Sequence, residues 1–287
     1  MSEIEHENAA KDNAPGRGPA ARHARRVDSA TVRVVSLTCS NTEITCALGC
    51  ADLLVGVDDH SDYPVAVVTQ LPRVGPDLGI DVARVAALRP DLVLASLTVP
   101  GHERVIEQLT AAKMPFFAPE PVSLEDVYDH ILQIAARLGV PERGAELTAA
   151  MRREIAESAP RRGAPRLLVE WWPKPVIVPG RLSWVSQMLS AAGGRNALDA
   201  EAVKSRPITD DEARALDPDA IVISWCGVPF AKYRPDIVRR RPAWQELRAV
   251  REGRIYCVPE AYLGRPGPRL AEGVRAFRTI VAECPQP

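Results

Sequence analysis

The sequence predicts an α/β protein built from two similar lobes with a ligand cleft between them, and three observations lead there. A segment of the first half recurs in the second. Each copy ends in an unbroken apolar run. The two halves are separated by helical pattern without strands.

The repeat comes first. Ala87-Leu88-Arg89-Pro90-Asp91-Leu92-Val93-Leu94-Ala95-Ser96 matches Ala215-Leu216-Asp217-Pro218-Asp219-Ala220-Ile221-Val222-Ile223-Ser224. In each copy a short helix stops before proline, whose ring clashes with the preceding turn. The apolar run that follows fits a parallel strand covered on both faces. Further on, Phe116-Phe117-Ala118-Pro119-Glu120 is echoed by Tyr256-Cys257-Val258-Pro259-Glu260. Helix and strand alternate in the same order in both halves, which is βαβ logic with right-handed crossovers.

Between the halves, Leu124 to Leu138 is one amphipathic stretch ended by Gly139, and a second runs from Pro141 to about Glu157, stopped by Pro160 and Gly163. At 1.5 Å per residue the second helix spans roughly 25 Å, enough to join two lobes with limited hinge motion. The expected organisation is a disordered tail over 1–30, a first lobe over 31–140, a linker helix over 141–162 and a second lobe over 163–284. The tail is assigned because its Ala, Gly, Pro and charged residues lack apolar periodicity.

Composition narrows the function. A net charge of −1 over 287 residues gives no pull toward nucleic acid or an anionic membrane. No run approaches the roughly 18 apolar residues of a membrane span. Arg25-Arg26 is followed by no apolar segment, so the chain is expected in the cytoplasm, with its six cysteines as free thiols. The nucleophile elbow, the phosphate loop, the dinucleotide fingerprint and the His-Glu-x-x-His zinc helix are all missing, so a non-catalytic binding protein is expected.

Ligands of parallel sheets meet the loops at the strands' carboxyl ends. Those loops supply Cys39, Ser40 and Asn41, then His60 and Tyr63, then Ser96, then Trp171 and Trp172, then Trp225 and Cys226, then Tyr262. Ser40 and Glu43 have the spacing of a helix capping box. Two adjacent tryptophans cannot both enter a core, because side chains alternate along a strand. An aromatic cleft with one histidine, several hydroxyls and no dense basic cluster suits a large, partly flat, weakly charged ligand.

Several motifs carry a family resemblance. Arg33-Val34-Val35-Ser36-Leu37 with Asn41-Thr42-Glu43, Val55-Gly56-Val57 with Ser61-Asp62-Tyr63-Pro64, and Leu88-Arg89-Pro90-Asp91-Leu92-Val93 form the first group. Gly193-Gly194-Arg195-Asn196 and Gly253-Arg254-Ile255-Tyr256 follow later. Together, from Val32 to Glu283, the chain resembles the periplasmic binding proteins for cobalamin and iron-siderophores, the substrate-binding proteins of ABC importers, and leans toward the cobalamin branch.

The resemblance implies two Rossmann-like lobes joined by a long helix, a monomer, and a corrinoid as ligand with no further cofactor. It places His60, Trp171 and Tyr262 at aromatic cleft positions, with His60 over the corrin; because imidazole is a common metal ligand, the alternative for His60 is to give a nitrogen to cobalt. It also implies docking on an ABC permease through one acid on each lobe. The second lobe has Asp211 and Glu212; the first has Ala83, which weakens that partnership. Two alternatives stay open. An iron-siderophore or haem would use Lys174, Arg181, Arg206 and Arg265 as cations, with Tyr63 or His60 as axial ligand to haem. A metal ion would be held by Cys39, Cys226 and His60.

Overall fold

The computed structural model describes residues 32–156 and 163–285. The expected tail and the last residues of the expected linker, 157–162, lie outside the described residues.

The first half runs β1 (Val34–Ser36), α1 (Cys39–Ala47), β2 (Leu54–Val57), α2 (Val65–Val68), α3 (Val82–Ala87), β3 (Leu92–Leu94), α4 (His102–Ala111) and β4 (Phe116–Phe117). Two helices follow, α5 (Leu124–Arg137) and α6 (Pro141–Ile155). The second half runs β5 (Arg166–Glu170), β6 (Trp172–Pro173), β7 (Val176–Pro179), α7 (Trp184–Ala191), β8 (Arg195–Asn196), β9 (Ser205–Ile208), α8 (Asp210–Leu216) and β10 (Ala220–Ile223). It ends with α9 (Pro235–Arg239), α10 (Arg248–Arg251), β11 (Ile255–Cys257), α11 (Glu260–Leu263) and α12 (Leu270–Glu283).

Each half forms a four-stranded parallel sheet, ordered β2-β1-β3-β4 in the first and β8-β5-β10-β11 in the second. The orders correspond strand for strand, with the repeated segments as β3 and β10. The correspondence reaches single hydrogen bonds. Asp91 accepts the Arg33 backbone N–H at 2.8 Å, and Asp219 accepts that of Arg166 at 2.8 Å. Each arginine side chain also donates to the carbonyl of the leucine three residues before its aspartate, Leu88 or Leu216. The residues between, Arg89 and Asp217, both take positive φ (48° and 37°). The Pro-Asp element is therefore a tie that fixes the end of one strand to the start of its neighbour.

Helices α5 and α6 pack against each other and connect the lobes. Helix α5 contacts α1 of the first lobe and α7 of the second. Near its start, Arg143 of α6 donates to the carbonyls of Leu48 and Gly49; at its end, Arg278 of α12 donates to Glu154 and Ala156. One core is continuous across the junction, from Ile44 through Ile131 and Ile134 to Met188 and Phe277. Each such buried side chain contributes roughly 1.5–3 kcal/mol.

Two local expectations are corrected. Ser40 and Glu43 form no capping box: the helix starts after Thr38, which makes no side-chain cap, and Glu43 is engaged elsewhere. The segment after β5 is more than a loop. Strands β6, β7 and β9 form a separate antiparallel sheet with no counterpart in the first lobe.

Glu170, fully buried at the end of β5, anchors this region. It accepts two hydrogen bonds from Arg241, at 2.6 and 2.8 Å, and one from Trp225 Nε1 at 2.9 Å. Removing the carboxylate strands a guanidinium in the interior, so Glu170→Ala is expected to cost about 3–5 kcal/mol in urea unfolding. A second expectation concerns His130 of α5, which packs edge-on against Phe117 and whose burial pushes its pKa down to about 4. The unfolded chain takes up this proton near pH 6.5 and the folded chain only near 4. His130 therefore subtracts stability as pH falls through that window. His130→Phe is expected to flatten the decline between pH 6.5 and 4 relative to the parent, as read by denaturant midpoints.

Candidate ligand-binding cleft

The carboxyl ends of the strands from both sheets face one cleft. Thr38 follows β1, Asp58 follows β2, Trp171 follows β5, Cys226 follows β10 and Glu260 opens α11 after β11. Three cavities of about 260, 270 and 330 Å³ lie along it. The first two share Thr98, Val99, Cys226 and Gly264; the second and third share His60, Gly227, Glu260 and Arg265. They are one continuous groove of unequal character.

The first cavity is apolar, walled by Trp171, Trp172, Ile177, Leu182 and Trp184 from the second lobe and by Val99 from the first. Its geometry comes from the added antiparallel sheet, in which Trp172 pairs with Ile177. Trp171 leans on Trp184 with ring centres 6.4 Å apart, and Trp184 is fixed by donating to the Leu263 carbonyl at 2.8 Å. Trp172 is 40% exposed, its indole N–H tied to Lys174 O at 3.1 Å, so its ring is held open to the cleft. Lys204 of the second lobe pairs with Glu120 of the first at the rim.

The middle cavity is polar and acidic. Asp58, Asp77 and Glu260 line it with His60, His102 and a single cation, Arg265. Burial raises the carboxyls of Asp58 and Glu260, whereas the His102 imidazole 3.6 Å away holds Asp77 below the ordinary range. Arg265 is already committed, bonded to Glu43 at 3.0 Å, Asp62 at 2.5 Å and Glu260 at 3.0 Å. Glu43 and Asp62 belong to the first lobe, so this arginine crosses the cleft. Arg269 crosses beside it, donating to buried Glu43 at 2.8 Å and lying 4.4 Å over the ring of Tyr63. Neither arginine was assigned this role from sequence, because partners more than 200 residues apart leave no local pattern.

The structure places the candidate residues unevenly. Cys39, Ser40, His60, Trp171, Trp172 and Cys226 line the groove. Asn41 is buried and ties α1 to the end of β3 through Ala95 O at 2.8 Å. Ser96 is buried and bonded to Thr98. Trp225 is sunk in the second lobe's core, and Tyr63 and Tyr262 lie beside Arg269 rather than on the cavity walls. Sequence reading missed Val99, Leu182, Trp184, Asp77 and His102, which sit in loops or on helix starts with no distinguishing motif. The cations proposed for an anionic ligand are otherwise engaged or outside: Arg206 is paired with Glu201 and Glu212, and Lys174 and Arg181 line none of the three cavities.

The metal-ion alternative is corrected. Cys39, Cys226 and His60 share the cleft, but among the described residues no three histidine, cysteine or acidic side chains converge to hold an ion. Burial, reinforced by Asp58, pushes the Cys39 thiol far up. Cys226 stands at the cleft wall, where desolvation and the nearby Glu260 push its thiol up to about 12.

Comparison with known proteins agrees with this architecture. A family model described as periplasmic binding protein matches residues 34–262. An uncharacterised ABC transporter substrate-binding lipoprotein, YvrC of Bacillus subtilis, is 32% identical over 251 residues, covering 84% of this chain and 77% of the relative. A vitamin B12-binding protein of Yersinia pestis is 29% identical over 68% of this chain and 70% of its own. Among solved structures, the periplasmic heme-binding protein RhuT from Roseiflexus sp. RS-1 superposes with a TM-score of 0.73 at 29% identity, over 88% of this chain and 99% of that one. The expected cytoplasmic location is overturned by these likenesses, which are to periplasmic binding proteins and a substrate-binding lipoprotein.

The thiol chemistry gives a direct check. A thiol titrating near 12 is almost wholly protonated at pH 8 and reacts poorly. Replacing Cys226 with serine is therefore expected to leave the rate of thiol release with a disulfide reagent at pH 8 nearly unchanged.

Proposed function

The chain belongs to the periplasmic binding protein family, as a non-catalytic substrate-binding protein of the ABC-importer type, and from that premise we propose that its ligand is a corrinoid. The observation that carries this reading is the charge of the groove. Its polar half is lined by Asp58, Asp77 and Glu260, and the one arginine there is already shared among three carboxylates. Haem with its propionates, or an anionic ferric siderophore, would meet carboxylates without an unengaged guanidinium to answer them. The ring edge of a corrinoid, with its neutral amide side chains, meets no such repulsion. Its apolar edge suits the tryptophan wall, and its amides suit Thr38, Ser40 and Thr98 around the middle cavity. The vitamin B12-binding relative supports the same assignment.

Delivery to an ABC permease follows from the same premise. Ala83 and Asp211 occupy the same place in the repeated unit, in the first turns of α3 and α8. Asp211 is exposed and Glu212 closes the capping box of α8 with Thr209. We assign the charged contact to the second lobe alone, an asymmetric docking.

Fluorescence titration separates the ligands. Cyanocobalamin is expected to quench tryptophan emission saturably at micromolar concentration or below, with haemin and an anionic ferric siderophore binding at least about tenfold more weakly. Trp172→Ala is expected to lower cyanocobalamin affinity by about tenfold, about 1.4 kcal/mol. Tighter binding of haemin overturns the corrinoid assignment in favour of haem.

A further inference from the structure

His60 is set in place more firmly than a loop residue needs to be. Its backbone N–H donates to Asp58 Oδ2 at 2.9 Å, and its carbonyl accepts the Cys39 thiol at 3.0 Å. The side chain is half exposed and lines both the middle cavity and the third. Behind it stands Asp77, one carboxylate oxygen 3.6 Å from His60 Nε2 and the other 3.6 Å from His102 Nε2.

His102 explains the arrangement. It is buried in the first turn of α4, and its Nδ1 accepts the Val99 N–H at 3.4 Å. In the neutral ring the proton then sits on Nε2, facing Asp77. Apart from Asp77, buried Nε2 has no partner among the described residues. One oxygen of Asp77 faces His102; the other accepts the Leu78 N–H at 2.9 Å and keeps its second lone pair toward His60.

A histidine whose Nε2–H faces a carboxylate carries its lone pair on Nδ1. No described residue hydrogen-bonds that atom. An imidazole backed in this way by a carboxylate is the usual state of a metal-ligating histidine, its tautomer fixed and its basicity raised.

We infer that His60 Nδ1 is an axial ligand to the metal centre of the bound chelate, with Asp77 and His102 as its positioning residues. This rests on the corrinoid reading. The step is a ligand exchange without redox change: the Nδ1 lone pair forms a cobalt–nitrogen bond, the cobalt–oxygen bond of an axial water breaks, and water leaves. A corrinoid whose axial position is exchangeable is thus distinguished from one whose position is blocked.

The test uses the untagged chain with aquocobalamin, whose axial water exchanges, and cyanocobalamin, whose cyanide does not. Visible absorbance is expected to shift on binding aquocobalamin and to stay close to that of the unbound form with cyanocobalamin. In His60→Ala both corrinoids are expected to bind, without the shift and with at least a tenfold loss of preference for aquocobalamin. Asp77→Asn is expected to keep the shift while lowering affinity for aquocobalamin about tenfold more than for cyanocobalamin. Aquocobalamin bound with unshifted bands, or a shift that survives His60→Ala, overturns the axial ligand and leaves the corrinoid reading standing. Binding of neither corrinoid overturns both.

Discussion

The buried carboxylate of Glu43 is the constraint on which the cleft depends. A charge in this position is costly to desolvate unless paired, and its partners Arg265 and Arg269 both come from the opposite lobe. Separating the lobes would leave Glu43 and Arg269 without their ion-pair partner and Arg265 with Glu260 alone, so the ion pairs set the width of the groove. Their second effect is chemical. With Arg265 also holding Asp62 and Glu260, the groove keeps a guanidinium in its centre without offering it to a ligand. The preference for an uncharged ligand edge follows from a contact that serves structure.

The tryptophan wall depends on a different buried charge. Glu170 sits immediately before Trp171, and its pairing with Arg241 fixes the end of β5 as the chain enters the antiparallel sheet. Arg241 reaches on to the Pro173 carbonyl at 3.3 Å, linking the interior pair to the strand that carries Trp172. Apolar walls at ligand sites need such support, because an exposed indole without it would fold back on its own lobe.

The sheets were legible in the sequence for a physical reason. A parallel strand covered on both faces must be apolar throughout, and a helix ending before Pro-Asp leaves a fixed pattern, so β3 and β10 announce themselves and each other. Helices α5 and α6 were legible through their periodicity and the glycine and prolines that end them. The antiparallel sheet was not. Its strands are two to four residues long and contain Pro173, Pro179 and Pro207, residues that read as loop. Trp225 was placed in the cleft because it follows a strand as Trp171 does. The Glu170 carboxylate instead draws its indole into the core. Ser40 and Glu43 had the spacing of a cap, but spacing cannot reveal that two arginines more than 200 residues away claim the glutamate. Location was judged from the lack of an apolar leader, a local signal that the likeness to periplasmic relatives outweighs.

The added sheet has a consequence for how a ligand is read. Two lobes with matching strand order, joined face to face, would make a groove whose two ends are nearly equivalent, and a molecule could lie in it either way round. Among the described residues the insertion exists in one lobe only, and it makes one end apolar and aromatic while the other stays acidic. The groove thereby acquires a direction. A two-faced molecule enters it in one orientation, and whatever receives that molecule next is always offered the same side.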